Sequence, residues 1–205
     1  AQMYLNYDKI RTAIADTGVP REQIWITSKV NTDKTWLIRS DSRRVYVNTT
    51  AGAMASVNDA LRELNTRYID LMLIHDPWQM SHDERLAVWS GLIEAQKAGK
   101  VKAIGVSNFN REQIEELERG TGVAPAVNEL ELHPWVGTAT LDLVHWCQSR
   151  GIGVIAYNSL GGKKNRARGA AVAKVASQHG VSNAQVLLRW ANNLGVAVIP
   201  GGTSR

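Results

Sequence analysis

Residues 69–74 read Ile-Asp-Leu-Met-Leu-Ile, five apolar side chains in six, and this run constrains the chain more than any other stretch. It is too short for an independent helix and lacks the alternation of a half-buried strand, so it reads as a strand covered on both faces. Strands of that kind belong to parallel sheets flanked by helices. The run stops at His75-Asp76-Pro77, where the proline cannot continue a central strand. A histidine at the carboxyl end of such a strand stands where parallel α/β folds keep their chemistry, although a purely structural histidine fits the same place.

The neighbouring segments repeat the pattern. Apolar, β-branched or aromatic runs at 24–30, 101–106, 125–132, 154–157 and 197–200 predict further strands. Between them, 6–16, 53–64, 84–98, 141–150, 170–179 and 186–193 carry apolar residues at helical spacing. Asn110 with Gln113, and Ser182 with Gln185, have the spacing of capping boxes, and Gly99 and Gly151 end the helices before them. Residues 31–50 are polar, without period, and read as a long loop over a site.

Strand and helix thus alternate without a linker, which predicts parallel strands with helical crossovers in one domain spanning residues 1–205. Two architectures compete. An open dinucleotide-binding sheet would carry G-x-G-x-x-G after an early strand, and the chain has none. Polar residues instead end many different strands: Lys29, His75, Ser107 with Asn108, Asn128 with Glu129, and Tyr157. Contributions from several strand ends around a ring are the arrangement of a (β/α)8 TIM barrel, and that is the expected fold. About six strands are countable against eight in a closed barrel, so the barrel is expected to be incomplete here, with both ends of the chain cut.

Charge and composition narrow the function. A net charge of +5 admits an anionic ligand, but the basic residues are mostly scattered and no nucleic-acid motif appears, so nucleic acid is not an expected partner. No apolar run spans a bilayer. Cys147 is the only cysteine, which excludes an internal disulfide and points to the cytoplasm. The five histidines are dispersed, and no metal site is expected. Of the tryptophans, Trp89, Trp146 and Trp190 fall in helices as packing residues; Trp78 and Trp135 follow strand ends and could equally wall a pocket or pack.

Tyr4, Lys29 and His75 suit one reaction. A tyrosine near its free pKa of about 10 is a poor acid at neutral pH, and a nearby ammonium makes its proton easier to release. A neutral histidine can orient a carbonyl. Together they fit protonation of a carbonyl oxygen while hydride reaches the carbon. Individually the three are weak signals.

Their surroundings resemble the aldo-keto reductase family. Ala-Gln-Met-Tyr4 is similar to the end of the family's Asp-Thr-Ala-x-x-Tyr segment, Ile26-Thr-Ser-Lys29 to its lysine strand, and Asp70-Leu-Met-Leu-Ile-His75-Asp-Pro77 to its histidine strand. Gly99-Lys-Val-Lys-Ala-Ile-Gly-Val-Ser-Asn-Phe109 and Pro125-Ala-Val-Asn-Glu-Leu-Glu-Leu-His-Pro134 resemble its central signatures. Residues 151–161, Ala184-Gln-Val-Leu-Leu-Arg-Trp190 and Val198-Ile-Pro200 continue the likeness in order, so it covers nearly the whole chain.

The resemblance implies an NADPH-dependent carbonyl reductase acting on aldehydes or ketones, with NADH possible, working as a monomer. It makes Tyr4 the general acid, Lys29 its modulator and His75 the carbonyl-orienting residue. Ser107, Asn108 and Glu129 would hold the nicotinamide carboxamide, Tyr157 would stack on the ring, and Asn158, Ser159 and Leu160 would follow along the cofactor. It also places the lysine's aspartate partner before Ala1. Four places depart from the family pattern: Glu129 stands for glutamine, Asp76 for a pocket tryptophan, Asn158-Ser159 for Ser-Pro, and Gly201-Gly202 for the Lys-Ser pair that grips a 2′-phosphate. The basic loop Lys163, Lys164 and Arg166 could clamp the cofactor or be plain surface. The competing functions are a cofactor-binding regulatory subunit and an inactive partial barrel.

Overall fold

The computed structural model describes residues 6–32, 46–162 and 169–201. Tyr4, the loop residues 33–45 and the basic cluster Lys163, Lys164 and Arg166 lie outside them. The chain forms two compact units, Ala1–Ala126 and Val127–Arg205.

The first unit holds three parallel strands in sequential order, β1 (Thr27–Val30), β2 (Ile69–Ile74) and β3 (Val101–Ser107). The helices around them are α1 (Tyr7–Thr17), α2 (Thr50–Leu64), α3 (His82–Lys97) and α4 (Arg111–Thr121), with a 3-10 turn at Arg21–Gln23. Every residue of β2 is buried, as its unbroken apolar run requires. The core of this unit holds Val57, Ala60 and Leu64 from α2 and Val88, Trp89 and Leu92 from α3, all buried; fully burying a side chain the size of valine or leucine stabilises by about 1.5–3 kcal/mol. Helices α2 and α3 approach closely because Gly91 has no side chain: a β-carbon there would lie 2.5 Å from the Thr50 carbonyl oxygen and 2.7 Å from the Ala53 β-carbon.

Asp70 is the exception within β2. Its carboxylate is 3% exposed, accepts the Ile26 N–H at 3.0 Å, and pairs with Arg21 at 2.8 Å and Lys102 at 2.9 Å. Burial pushes its pKa up, but the Ile26 N–H, Lys102 and Arg21 together outweigh that and hold it below the usual carboxylate range. Arg21 and Lys102 also lie over the Tyr68 ring, at 4.1 and 4.0 Å from its centre. This cluster pins the amino-terminal ends of β2 and β3, away from the strand ends that carry the candidate chemistry.

The second unit repeats the plan with β4 (Val127–Glu131), β5 (Gly153–Tyr157) and β6 (Ala197–Val198), parallel and sequential, and with α5 (Thr138–Ser149), α6 (Ala170–His179) and α7 (Asn183–Asn193). Its core gathers Leu130, Val144, Cys147, Ile152, Val154, Ala156, Leu187, Ala191 and Val196. Burial raises the pKa of the Cys147 thiol, partly offset by its hydrogen bond with Asn128, so this thiol is a packing group.

The predicted strands all occur. Both predicted capping boxes form: Asn110 Oδ1 accepts the Gln113 N–H at 2.9 Å, and Ser182 Oγ accepts the Gln185 N–H at 3.2 Å. A third, Ser81 with Glu84, starts α3 two residues earlier than the apolar periodicity indicates. Gly99 closes α3 at a φ of 71°, a left-handed conformation that glycine adopts without steric cost. Among the described residues no helix is long and apolar enough to cross a membrane.

Candidate active site

The first unit gathers four of the expected site residues at the carboxyl ends of its strands. Lys29 lies in β1 beside Leu73 of β2, and the His75 N–H donates to the Val30 carbonyl at 3.3 Å, extending the same ladder. Alternation along the strands puts Lys29, Leu73 and His75 on one face of the sheet. The opposite face of β1 is anchored by Ser28, whose hydroxyl lies 2.5 Å from that of Tyr7 in α1.

Asn108 ties the ends of β2 and β3 together. Its backbone is left-handed, φ 63°, and its amide Nδ2 donates to the His75 carbonyl at 3.2 Å and to Ser107 Oγ at 3.1 Å. Asparagine tolerates that conformation better than most residues and brings its own hydrogen bonds to it. Ser107 is buried. A second staple joins the ends of β1 and β2: Thr32 Oγ1 donates to the Asp76 carbonyl at 2.7 Å and lies 3.2 Å from the Asp76 N–H, which donates to it. Asp76 is buried. Trp78, two residues on, is 70% exposed.

The second unit carries the other candidates among the described residues. Glu129 is buried in β4 and pairs with Ile155; Glu131 pairs with Tyr157, so Glu129, Glu131, Ile155 and Tyr157 share one face. Asn158, φ 51°, follows β5 and donates from Nδ2 to Glu131 Oε1 at 2.6 Å. Ser159 is buried and its hydroxyl donates to the Ala156 carbonyl at 3.0 Å. Leu160 lines a cleft of about 360 Å³ with Trp135, Gly169, Val172, Asn183, Ala184 and Leu187. The Ser182 capping box fixes the amino terminus of α7 in that wall.

Sequence reasoning missed the Asn108 and Thr32 staples and the Asn158–Glu131 bond. Their partners lie 27 to 44 residues apart, beyond what local pattern reports. Among the described residues no group of three or more His, Cys, Asp or Glu side chains is placed to hold a metal ion.

Parallel strands joined by helices, with polar residues collected at their carboxyl ends, define an α/β protein of the (β/α)8-barrel class, six of whose strands lie among the described residues. The chain belongs to the aldo/keto reductase family, whose model matches residues 1–205. It is 32% identical to an NAD/NADP-dependent indole-3-acetaldehyde reductase of Schizosaccharomyces pombe, over 97% of this chain and 66% of that protein. It is also 32% identical to the methylglyoxal reductase DkgB of Escherichia coli O157:H7, over 100% of this chain and 71% of that one. The solved structure of a Bombyx mori aldo-keto reductase in complex with NADP superposes with a TM-score of 0.83 at 29% identity, covering 98% of this chain and 67% of the other. The chain therefore spans about two thirds of the length of these relatives.

Proposed function

We propose that the protein is a nicotinamide-dependent carbonyl reductase that uses NADPH, with NADH as the alternative donor, to reduce a small aldehyde or ketone. The observation that carries this reading is the Asn108 clasp, which brings His75, Ser107 and Asn108 together at adjacent strand ends. Relatives named as reductases of indole-3-acetaldehyde and methylglyoxal, and a neighbour solved with NADP, support the substrate class and the cofactor.

The cofactor, when bound, supplies the hydride. Ser107, Asn108 and Glu129 are the residues that would hold its carboxamide: the Ser107 hydroxyl could donate, the Asn108 amide, its Nδ2 hydrogens committed to the clasp, could accept through its oxygen, and a carboxylate at Glu129 could only accept, so it would take the NH2 hydrogens. Tyr157 gives the ring a face to stack on. Asn158, Ser159 and Leu160 continue toward the cleft at the amino terminus of α7. His75 orients the substrate carbonyl. Tyr4 donates the proton to its oxygen, and the Lys29 ammonium favours the phenolate left behind. Trp78, exposed three residues beyond His75, offers an indole face to an apolar substrate. The single thiol fits a reducing cytoplasm, and the family resemblance carries the reading of a monomer.

The test is Tyr4→Phe. Turnover of methylglyoxal at saturating NADPH should fall by at least ~100-fold, the low end for loss of a general acid. The NADPH dissociation constant should stay the same, because the lost hydroxyl serves the substrate. Equal turnover in the variant removes Tyr4 as the acid, and failure of the wild type to reduce any aldehyde with either cofactor removes the reading.

A further inference from the structure

We infer that Glu131 is a positioning residue that sets the cofactor cleft by joining the two loops that wall it. The inference rests on the carbonyl-reductase reading for the identity of the cleft's ligand. Glu131 is the last residue of β4, and one of its oxygens, Oε1, serves two partners from different loops. Asn158 Nδ2 donates to it at 2.6 Å from just past β5, and His133 Nε2 lies 3.2 Å from it on the loop after β4.

His133 is 4% exposed, and its other nitrogen, Nδ1, accepts the Trp135 N–H at 3.2 Å. Because Nδ1 accepts, the ring proton resides on Nε2 and points at Glu131. The two aromatic rings meet at 5.7 Å between centres, tilted by 52°. Through His133, then, Glu131 fixes Trp135. Through Asn158, whose carbonyl accepts the Gly161 N–H at 2.8 Å, it fixes the turn that presents Leu160. Trp135 and Leu160 line the same cleft of about 360 Å³. A 45% exposed carboxylate outside the cleft therefore holds one residue of its wall from each of two loops. Without that shared acceptor each loop would sample other positions, and the fraction of molecules with a formed cleft would fall; binding weakens by that fraction.

The substitutions separate this role from charge and from folding. Glu131→Gln retains an oxygen that accepts both bonds, whereas Glu131→Ala removes it. Asn158→Gly tolerates the left-handed backbone and removes only the side-chain donor. NADPH is titrated against the full chain by quenching of tryptophan fluorescence, and turnover of methylglyoxal is measured at saturating NADPH. Glu131→Ala should raise the NADPH dissociation constant on the order of five- to ten-fold, as expected for losing one or two orienting hydrogen bonds. Its turnover at saturation should stay close to wild type, and Glu131→Gln should restore affinity. Combining Glu131→Ala with Asn158→Gly should weaken binding less than the sum of the two, because both break one link.

Wild-type affinity in Glu131→Ala, no rescue by glutamine, or full additivity would each overturn the positioning role while leaving the reductase reading intact. A wild-type chain that binds neither NADPH nor NADH would overturn both. Should Glu131→Ala fail to fold, Glu131→Asp, which withdraws the shared acceptor from both partners by one methylene, decides the matter by the same titration: a weakened affinity supports the link, and an unchanged one overturns it.

Discussion

Asn108 combines two devices in one residue, and they can be measured apart. Its side chain donates to the His75 carbonyl and to Ser107 Oγ, and its backbone sits at φ 63°. Replacement by glycine removes both bonds but accepts the left-handed backbone. At about 1 kcal/mol for each net hydrogen bond, Asn108→Gly should destabilise the chain by about 2 kcal/mol. Replacement by alanine loses the same bonds and also puts a β-carbon into the left-handed region, at an additional cost of about 1–2 kcal/mol. Alanine should therefore be the worse of the two by about 1–2 kcal/mol, against the order that helix or strand propensity alone would give. Urea unfolding without cofactor reads this directly, provided the slope with denaturant is the same in all three proteins. Because the amide also holds the His75 carbonyl, both variants should lose turnover, and a misplacement of about 1 Å suffices for a hundred-fold loss. Alanine as stable as glycine would refute the backbone argument, and full turnover in either variant would refute the link to His75.

Two further predictions concern stability. The folded-state pKa of Asp70 is depressed, so its contribution is present above the unfolded carboxylate pKa of about 3.9 and is lost as pH falls through the lower folded value. Asp70→Asn should lower the urea midpoint at neutral pH and flatten its acid limb; an acid limb parallel to that of the wild type would show that the Arg21 and Lys102 pairs contribute nothing. Gly91→Ala places a β-carbon against the Thr50 carbonyl and Ala53 and should cost about 1–3 kcal/mol by overpacking, read as a lowered melting temperature. An unchanged melting temperature would mean that α2 and α3 separate at no cost.

Much of the chain was legible from its sequence because the relevant physics is local. An unbroken apolar run such as 69–74 can be satisfied only by cover on both faces, and the capping residues Asn110 and Ser182 act within three residues of themselves. The alternation of such segments sufficed for the parallel α/β class, and the ordered motifs sufficed for the family. The same motifs named Lys29, His75, Ser107, Asn108, Glu129 and Tyr157 as site candidates, because these residues end strands and strand ends can be read from composition. What tertiary structure alone decided is which of these groups are fastened together. That Asn108 reaches back 33 residues to His75, that Thr32 grips Asp76, and that Glu131 receives Asn158 depends on strand pairing. Each such contact joins residues whose separation in sequence carries no pattern of its own. Trp78 makes the same point from the other side: its letter fits packing and pocket equally, and its 70% exposure in the turn after β2 could not be read from it.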